Sequence, residues 1–171
     1  MDNETISITA YGQVDTSNYK WLEWYEDFKK IIKSIGYEYN YVGISSKKLN
    51  SGKIMTVKRS ESKVINELQN AEEIKSISLF SLPKDYKSAS FDYDVMIVRN
   101  VKFITIIMNK SDYLKINEEE ILLLFRKYLN NISVEVYEMD RYESPLIYAN
   151  KVNPESSFES LKKLKNVTMD V

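Results

Sequence analysis

Neither cysteine nor histidine occurs in the 171 residues. Without cysteine there are no disulfides, no thiolate metal sites and no thiol nucleophile. Without histidine the usual neutral-pH general base is missing, and so is the commonest metal ligand. A Ser-His-Asp triad, a His-dependent zinc site and a histidine phosphoryl carrier are excluded together. A strong charge of one sign is also lacking: the net charge is −1, so the chain as a whole has no pull toward nucleic acid or anionic membrane. No apolar run approaches the length of a membrane span. The start, Met1-Asp2-Asn3-Glu4, is acidic and lacks the apolar centre of an export signal. Gly52-Lys53 lacks the upstream glycine and the following Ser or Thr of a phosphate loop. The expectation is a protein without catalytic residues, metal or cofactor.

What is present is a capacity to build a core. Hydrophobic residues make up 43% of the chain and aromatics 12%, enough for one domain over residues 1–171. The organising stretch is 91–108. Phe91, Tyr93 and Val95 alternate with Asp92 and Asp94, and Val101 to Met108 is apolar almost throughout. This reads as a hairpin broken at Arg99-Asn100, its second strand covered on both faces.

Other strands are expected at 5–11, 37–44, 54–57, 77–82, 132–139 and, at an edge, 146–149. Trp21, Trp24, Tyr25, Phe28, Ile31, Ile32 and Ile35 fall at helical spacing, which predicts a helix over 18–35, capped by Asp15 or Ser17 and ended by Gly36. Asn117 should cap a second long helix over 118–130, with Glu118, Glu119 and Glu120 in its first turn. Two shorter helices are expected. One runs from Ser60 or Ser62 to about Asn70, with Val64, Ile65 and Leu68 inward. The other follows Asn153-Pro154, with a Ser156/Glu159 capping box and Phe158, Leu161 and Leu164 inward. Strand 5–11, helix and strand 37–44 form one strand-helix-strand unit; 101–108, 118–130 and 132–139 form another. The fold class that follows is α+β: a single mixed, mostly antiparallel sheet of five to seven strands, two long helices on one face and two shorter helices.

Three functions compete on the surface groups. The first is a protein-binding module that uses Asp92, Asp94, Glu135, Glu138, Asp140, Tyr142 and Glu143. Reversing Asp92 and Asp94, or Glu138 and Glu143, to lysine should leave folding intact, since these four sit outside the expected core. The second is a nucleic-acid binder with Tyr37, Tyr39 and Tyr41 on one strand face and the basic region Lys47 to Arg59 beside them. The third is an enzyme that uses carboxylates alone, such as Asp92 with Asp94, which as outer-face strand acids more often mark a solvated edge. The sequence carries no signal for an oligomeric state.

Residues 76–96, from Ser76-Ile-Ser-Leu-Phe-Ser-Leu-Pro83 to Phe91-Asp-Tyr-Asp-Val-Met96, and the Glu138 to Pro145 stretch give the chain a general character. In that character it resembles the immunity proteins of bacterial polymorphic toxin systems, including contact-dependent growth inhibition. The resemblance implies a cytoplasmic protein that neutralises a cognate toxin, usually a nuclease or another intracellular enzyme, by covering its active site or a nearby surface. It transfers no functional residue. A basic toxin would be met by the acidic and aromatic residues named above.

Overall fold

The computed structural model describes residues 3–14, 20–49, 52–70 and 73–169. Eight strands form one sheet: β1 (Glu4–Gln13), β2 (Tyr41–Ser46), β3 (Met55–Thr56), β4 (Ile74–Ser81), β5 (Val95–Asn100), β6 (Phe103–Asn109), β7 (Asn130–Asp140) and β8 (Lys162–Met169). Their spatial order is β3-β2-β4-β5-β6-β1-β7-β8. Every pairing is antiparallel, so β1 and β2 point the same way, as do β6 and β7. The helices are α1 (Trp21–Ile35), α2 (Val57–Asn70), α3 (Glu118–Tyr128) and the short α4 (Pro145–Ala149). The α+β architecture stands as expected, but the sheet has eight strands rather than five to seven, and α2, at 14 residues, is longer than α3 at 11. All three helices, α1, α2 and α3, pack into one core with one face of the sheet.

The strand-helix-strand units are crossovers between strands that are not neighbours. β1 and β2 are separated by β4, β5 and β6, and β6 and β7 by β1 itself. The strand at the start of the chain therefore lies inside the sheet. Its register sets Ile8 opposite Ile106 on one side and Val136 on the other.

The apolar stripe of α1 does what its spacing implies. Trp24, Tyr25, Phe28 and Ile32 are fully buried, Trp24 stacks on Phe28 at 4.8 Å, and Phe28 meets Phe125 of α3 at 6.2 Å. Ile8, Ile97, Ile104 and Ile106 form the floor beneath them. Gly36 takes a left-handed φ of 105° and its N–H closes the helix onto Ile32 and Lys33, a conformation that costs glycine nothing. The proposed caps Asp15 and Ser17 lie outside the described residues. Asn117 caps α3 by accepting from the Glu120 N–H at 3.4 Å.

The opposite face is covered by connections. Phe80, Met96, Val98, Phe103 and Ile107 are closed over by Leu82 and Tyr93 from the 82–94 segment and by Ala149 of α4. Beside them Tyr137 and Met139 pack under Tyr148 and Phe158. Between these clusters runs a row of buried hydroxyls, Thr5, Ser7 and Thr9 on β1 and Thr105 on β6. Thr9 lies 2.7 Å from the Thr105 oxygen and 3.1 Å from the Tyr137 hydroxyl. With cover on both sides, β6 is buried along its whole length.

Four expectations are corrected. The hairpin turns at Val101-Lys102, where Asn100 Oδ1 accepts the N–H groups of Lys102 and Phe103 at 2.8 and 3.0 Å. Arg99 stays in the strand because its guanidinium is buried over Trp21, 4.0 Å from the ring centroid, with Trp24 and Tyr128 each at 5.8 Å. Burial pulls its pKa down to about 10. Asp92 and Asp94 precede β5 and are not on a strand. Residues 146–149 belong to α4, begun by Pro145 at its first turn. The expected last helix is only a 3-10 turn over Glu155–Ser157 followed by β8. There, pairing with β7 overrides the local capping pattern.

Candidate functional site

β1 and β5 begin, and β6 and β7 end, at the same end of the sheet. One residue organises it. Arg141 follows β7, is fully buried, and donates from Nη1 to the carbonyls of Phe91 and Tyr93 at 2.7 and 2.8 Å. Its Nη2 donates to Asn109 Oδ1, and the guanidinium carbon lies 5.1 Å from the Tyr93 ring. A planar, permanently charged fork suits such a multi-carbonyl anchor; lysine would not hold three acceptors in this geometry. Asn109 passes the network on through its amide to Asp112 at 3.4 Å and Asp94 at 3.5 Å. Asp112, itself buried, accepts from Tyr37 at 2.7 Å and Lys115 at 2.6 Å.

On this base stand five of the seven candidate residues. Asp92 accepts backbone N–H groups from Lys87 and Ser88 at 2.7 and 2.8 Å, with Ser88 first among the causes that hold its carboxyl below the ordinary range. Asp94, part-buried, is pushed the other way by desolvation. Glu138 meets Lys110 at 2.9 Å, and the same ammonium reaches Glu4 at 2.9 Å. Asp140 accepts from the Tyr142 N–H at 2.8 Å. Tyr142 is the projecting group: 58% exposed, its ring 5.8 Å from that of Phe91.

Glu143 lies one residue further on. It accepts the N–H groups of Glu159 and Ser160, each at 2.8 Å, as well as the Ser160 hydroxyl. The bonds from Ser160 hold its carboxyl low. Glu135 does not join the group. It sits opposite Thr9, five positions before Asp140 on β7, roughly 17 Å away at ~3.3 Å per residue.

The acids are therefore partners within the fold as well as surface groups. Asp92, Asp94 and Glu143 lie outside the buried core yet are tied into the fold, since Asp92 and Glu143 fasten loops and Asp94 faces the Arg141 network. The single-face tyrosine ladder is corrected. Tyr37 and Tyr39 precede β2 and pack toward the helices, where the Tyr39 hydroxyl donates to that of Tyr25 at 3.1 Å. Tyr41 turns to the opposite face, 5.2 Å from the Tyr86 ring. Lys47, Lys48, Lys53, Lys58 and Arg59 are exposed. A groove of about 460 Å³ lies by Tyr37 and Tyr39, lined also by Lys29, Lys33 and Glu61. Among the described residues no cluster of three or more acidic side chains is placed to hold a metal ion, and no helix is long and apolar enough to cross a membrane.

Sequence reasoning missed Arg99, Arg141, Asn109 and Asp112. A signal for the first two was available. Lysine supplies 20 of the 24 basic residues, and two of the four arginines are buried. In such a chain an arginine inside or next to a strand marks a place where a fork of donors is needed.

Compared with family models, with curated proteins and with solved structures, the chain matches none.

Proposed function

We propose that the protein is a non-catalytic binding protein of the cytoplasm that neutralises a cognate toxin, an intracellular enzyme with a basic surface, by covering its active site or a nearby face. The observation that carries this reading is Tyr142, an exposed aromatic on a rigid base. It is fixed through Asp140 and Phe91 to the Arg141 anchor, and Asp92 and Asp94 lie on the same 91–94 segment that the anchor holds. Aromatic residues that need little ordering supply central binding energy. Carboxylates whose pKa is held low, as at Asp92 and Glu143, remain charged at neutral pH. They suit steering of a basic partner.

The test is co-purification from the source cell with the product of the adjacent gene, followed by Tyr142→Ala. The substitution should weaken the complex by about 2 kcal/mol or more, the range of a central hot spot, and leave thermal unfolding unchanged. A protein that binds no neighbour-encoded product and retains RNA or single-stranded DNA at physiological salt would shift the function to the lysine-rich 47–59 surface.

A further inference from the structure

Glu135, the candidate residue stranded from the others, belongs to a second constellation on the connection-covered face. Lys151 follows α4 and has a left-handed φ of 57°, a region that residues other than glycine and asparagine seldom occupy. It opens a run of exposed residues, 151–157. Its side chain nevertheless turns back onto the sheet. The ammonium lies 2.6 Å from Glu135 Oε2, 3.8 Å from the centroid of the Tyr148 ring and 5.6 Å from that of Tyr11. The neighbouring Lys163 is paired with Glu155.

The receiving groups are held without Lys151. Tyr148 packs edge-on against Tyr137 at 4.6 Å and Phe158 at 5.5 Å, and its hydroxyl lies 3.2 Å from the same Glu135 oxygen. The Tyr11 hydroxyl donates to the Ala149 carbonyl at 2.8 Å. Two ring faces and a carboxylate set at right distances for one organic cation are the elements of an aromatic cage. Here the cage is filled by a lysine of the same chain, on an exposed segment in a seldom-used backbone conformation.

We propose that Tyr11, Tyr148 and Glu135 form a binding site for an organic ammonium ion, that Lys151 occupies it as an internal plug, and that a lysine side chain of the bound partner replaces the plug. The site itself stands independently of the proposed function; only the source of the incoming lysine rests on that reading.

Lys151→Gly in the full chain empties the cage and relieves the left-handed backbone at once. Two probes are titrated while the ring protons of Tyr11 and Tyr148 are followed by NMR: n-butylammonium chloride, and N-acetyl-lysine methylamide, which carries a peptide backbone. Both should shift the rings saturably with Kd on the order of millimolar, the scale of one cation–π contact and one charge-assisted hydrogen bond. Wild-type protein should bind them about tenfold more weakly or worse, because the tethered ammonium competes at high effective concentration. Adding Glu135→Gln to Lys151→Gly should abolish the shifts, and sodium chloride at equal ionic strength should not produce them. No saturable shift in Lys151→Gly, or unchanged binding after Glu135→Gln, overturns the site. Binding of butylammonium with rejection of the lysine amide overturns the partner lysine as its occupant. If Lys151→Gly does not fold, Lys151→Met, which keeps the alkyl stem, is held to the same outcomes. No toxin enters the experiment, so its failure is separate from failure of the proposed function.

Discussion

The two faces of the sheet solve the same problem by different means. Under α1, α2 and α3 the floor is mostly isoleucine and valine, the cover is regular helix, and contact is aromatic stacking and branched aliphatic packing. On the other face the cover is two irregular connections. The floor includes four buried hydroxyl residues, and tyrosines tie cover to floor through hydrogen bonds. Non-directional packing tolerates small shifts, whereas a hydrogen-bonded cover fixes each group in one place. The face without long helices is therefore the one that can present groups outward in fixed geometry. Tyr142 and the Lys151 cage both belong to its connections.

The sharpest way to break this comparison is Arg141→Leu, which removes the charge that holds the 82–94 connection to β7. Leaving the carbonyls of Phe91 and Tyr93 unpaired should cost about 3–5 kcal/mol in urea unfolding, the scale for breaking a buried charged network. Ile106 and Ile107 make the next test. They are adjacent, both fully buried, and face opposite ways. Ile106→Ala, and likewise Ile104→Ala, should lose about 2–5 kcal/mol against the helix-covered floor. Ile107→Ala should fall at the low end of that range because irregular cover can settle into the space. Losses below about 1 kcal/mol at both Ile104 and Ile106 would place the main core elsewhere.

Thr9→Val tests the hydroxyl row: about 1–3 kcal/mol should be lost, since Thr105 and Tyr137 keep their polar atoms and lose a shared partner.

The smallest effects are expected at Asp92 and Asp94, and they have opposite signs. The folded pKa of Asp92 lies below its ordinary 3.8. Its contribution is present above pH 3.8 and disappears as the pH falls through the folded value. The folded pKa of Asp94 lies above 3.8, so stability declines as pH rises from 3.8 through that value. Asp92→Asn should lower the urea midpoint at pH 7 and Asp94→Asn should raise it or leave it unchanged, with both differences vanishing in strong acid. Midpoints that move together at pH 7 would remove the distinction between loop clasp and desolvated carboxylate.

Elements with strong periodicity were legible because one force decided them. The stripe from Trp21 to Ile35, the largely apolar run of β6, Gly36 and the Asn117 cap each correspond to a single local or packing requirement. β8 was not legible. Lys162 to Lys165 read as the end of a helix, while the strand exists through its pairing with β7 and has no apolar alternation because it lies at an exposed edge. Asp92, Asp94, Glu138, Asp140 and Tyr142 could be grouped by composition and neighbourhood. That Arg141 holds the segment carrying Asp92 and Asp94 could not be read, because the carbonyls it holds come from residues 91 and 93, far away in the chain.

The interior position of β1 has a consequence for the timing of synthesis. Ile6 pairs with Met108 and with Glu138, so β1 has no neighbour in the sheet until roughly a hundred further residues have left the ribosome. At about 5–20 residues per second that interval is on the order of 5–20 s, long compared with the time small mixed folds need once complete. During it the alternating Ile6, Ile8 and Ala10 stand as an unpaired strand, the form most open to mispairing with other nascent chains. Slow translation between β1 and β6 would lengthen that exposure, so pauses placed there should lower the yield of folded protein.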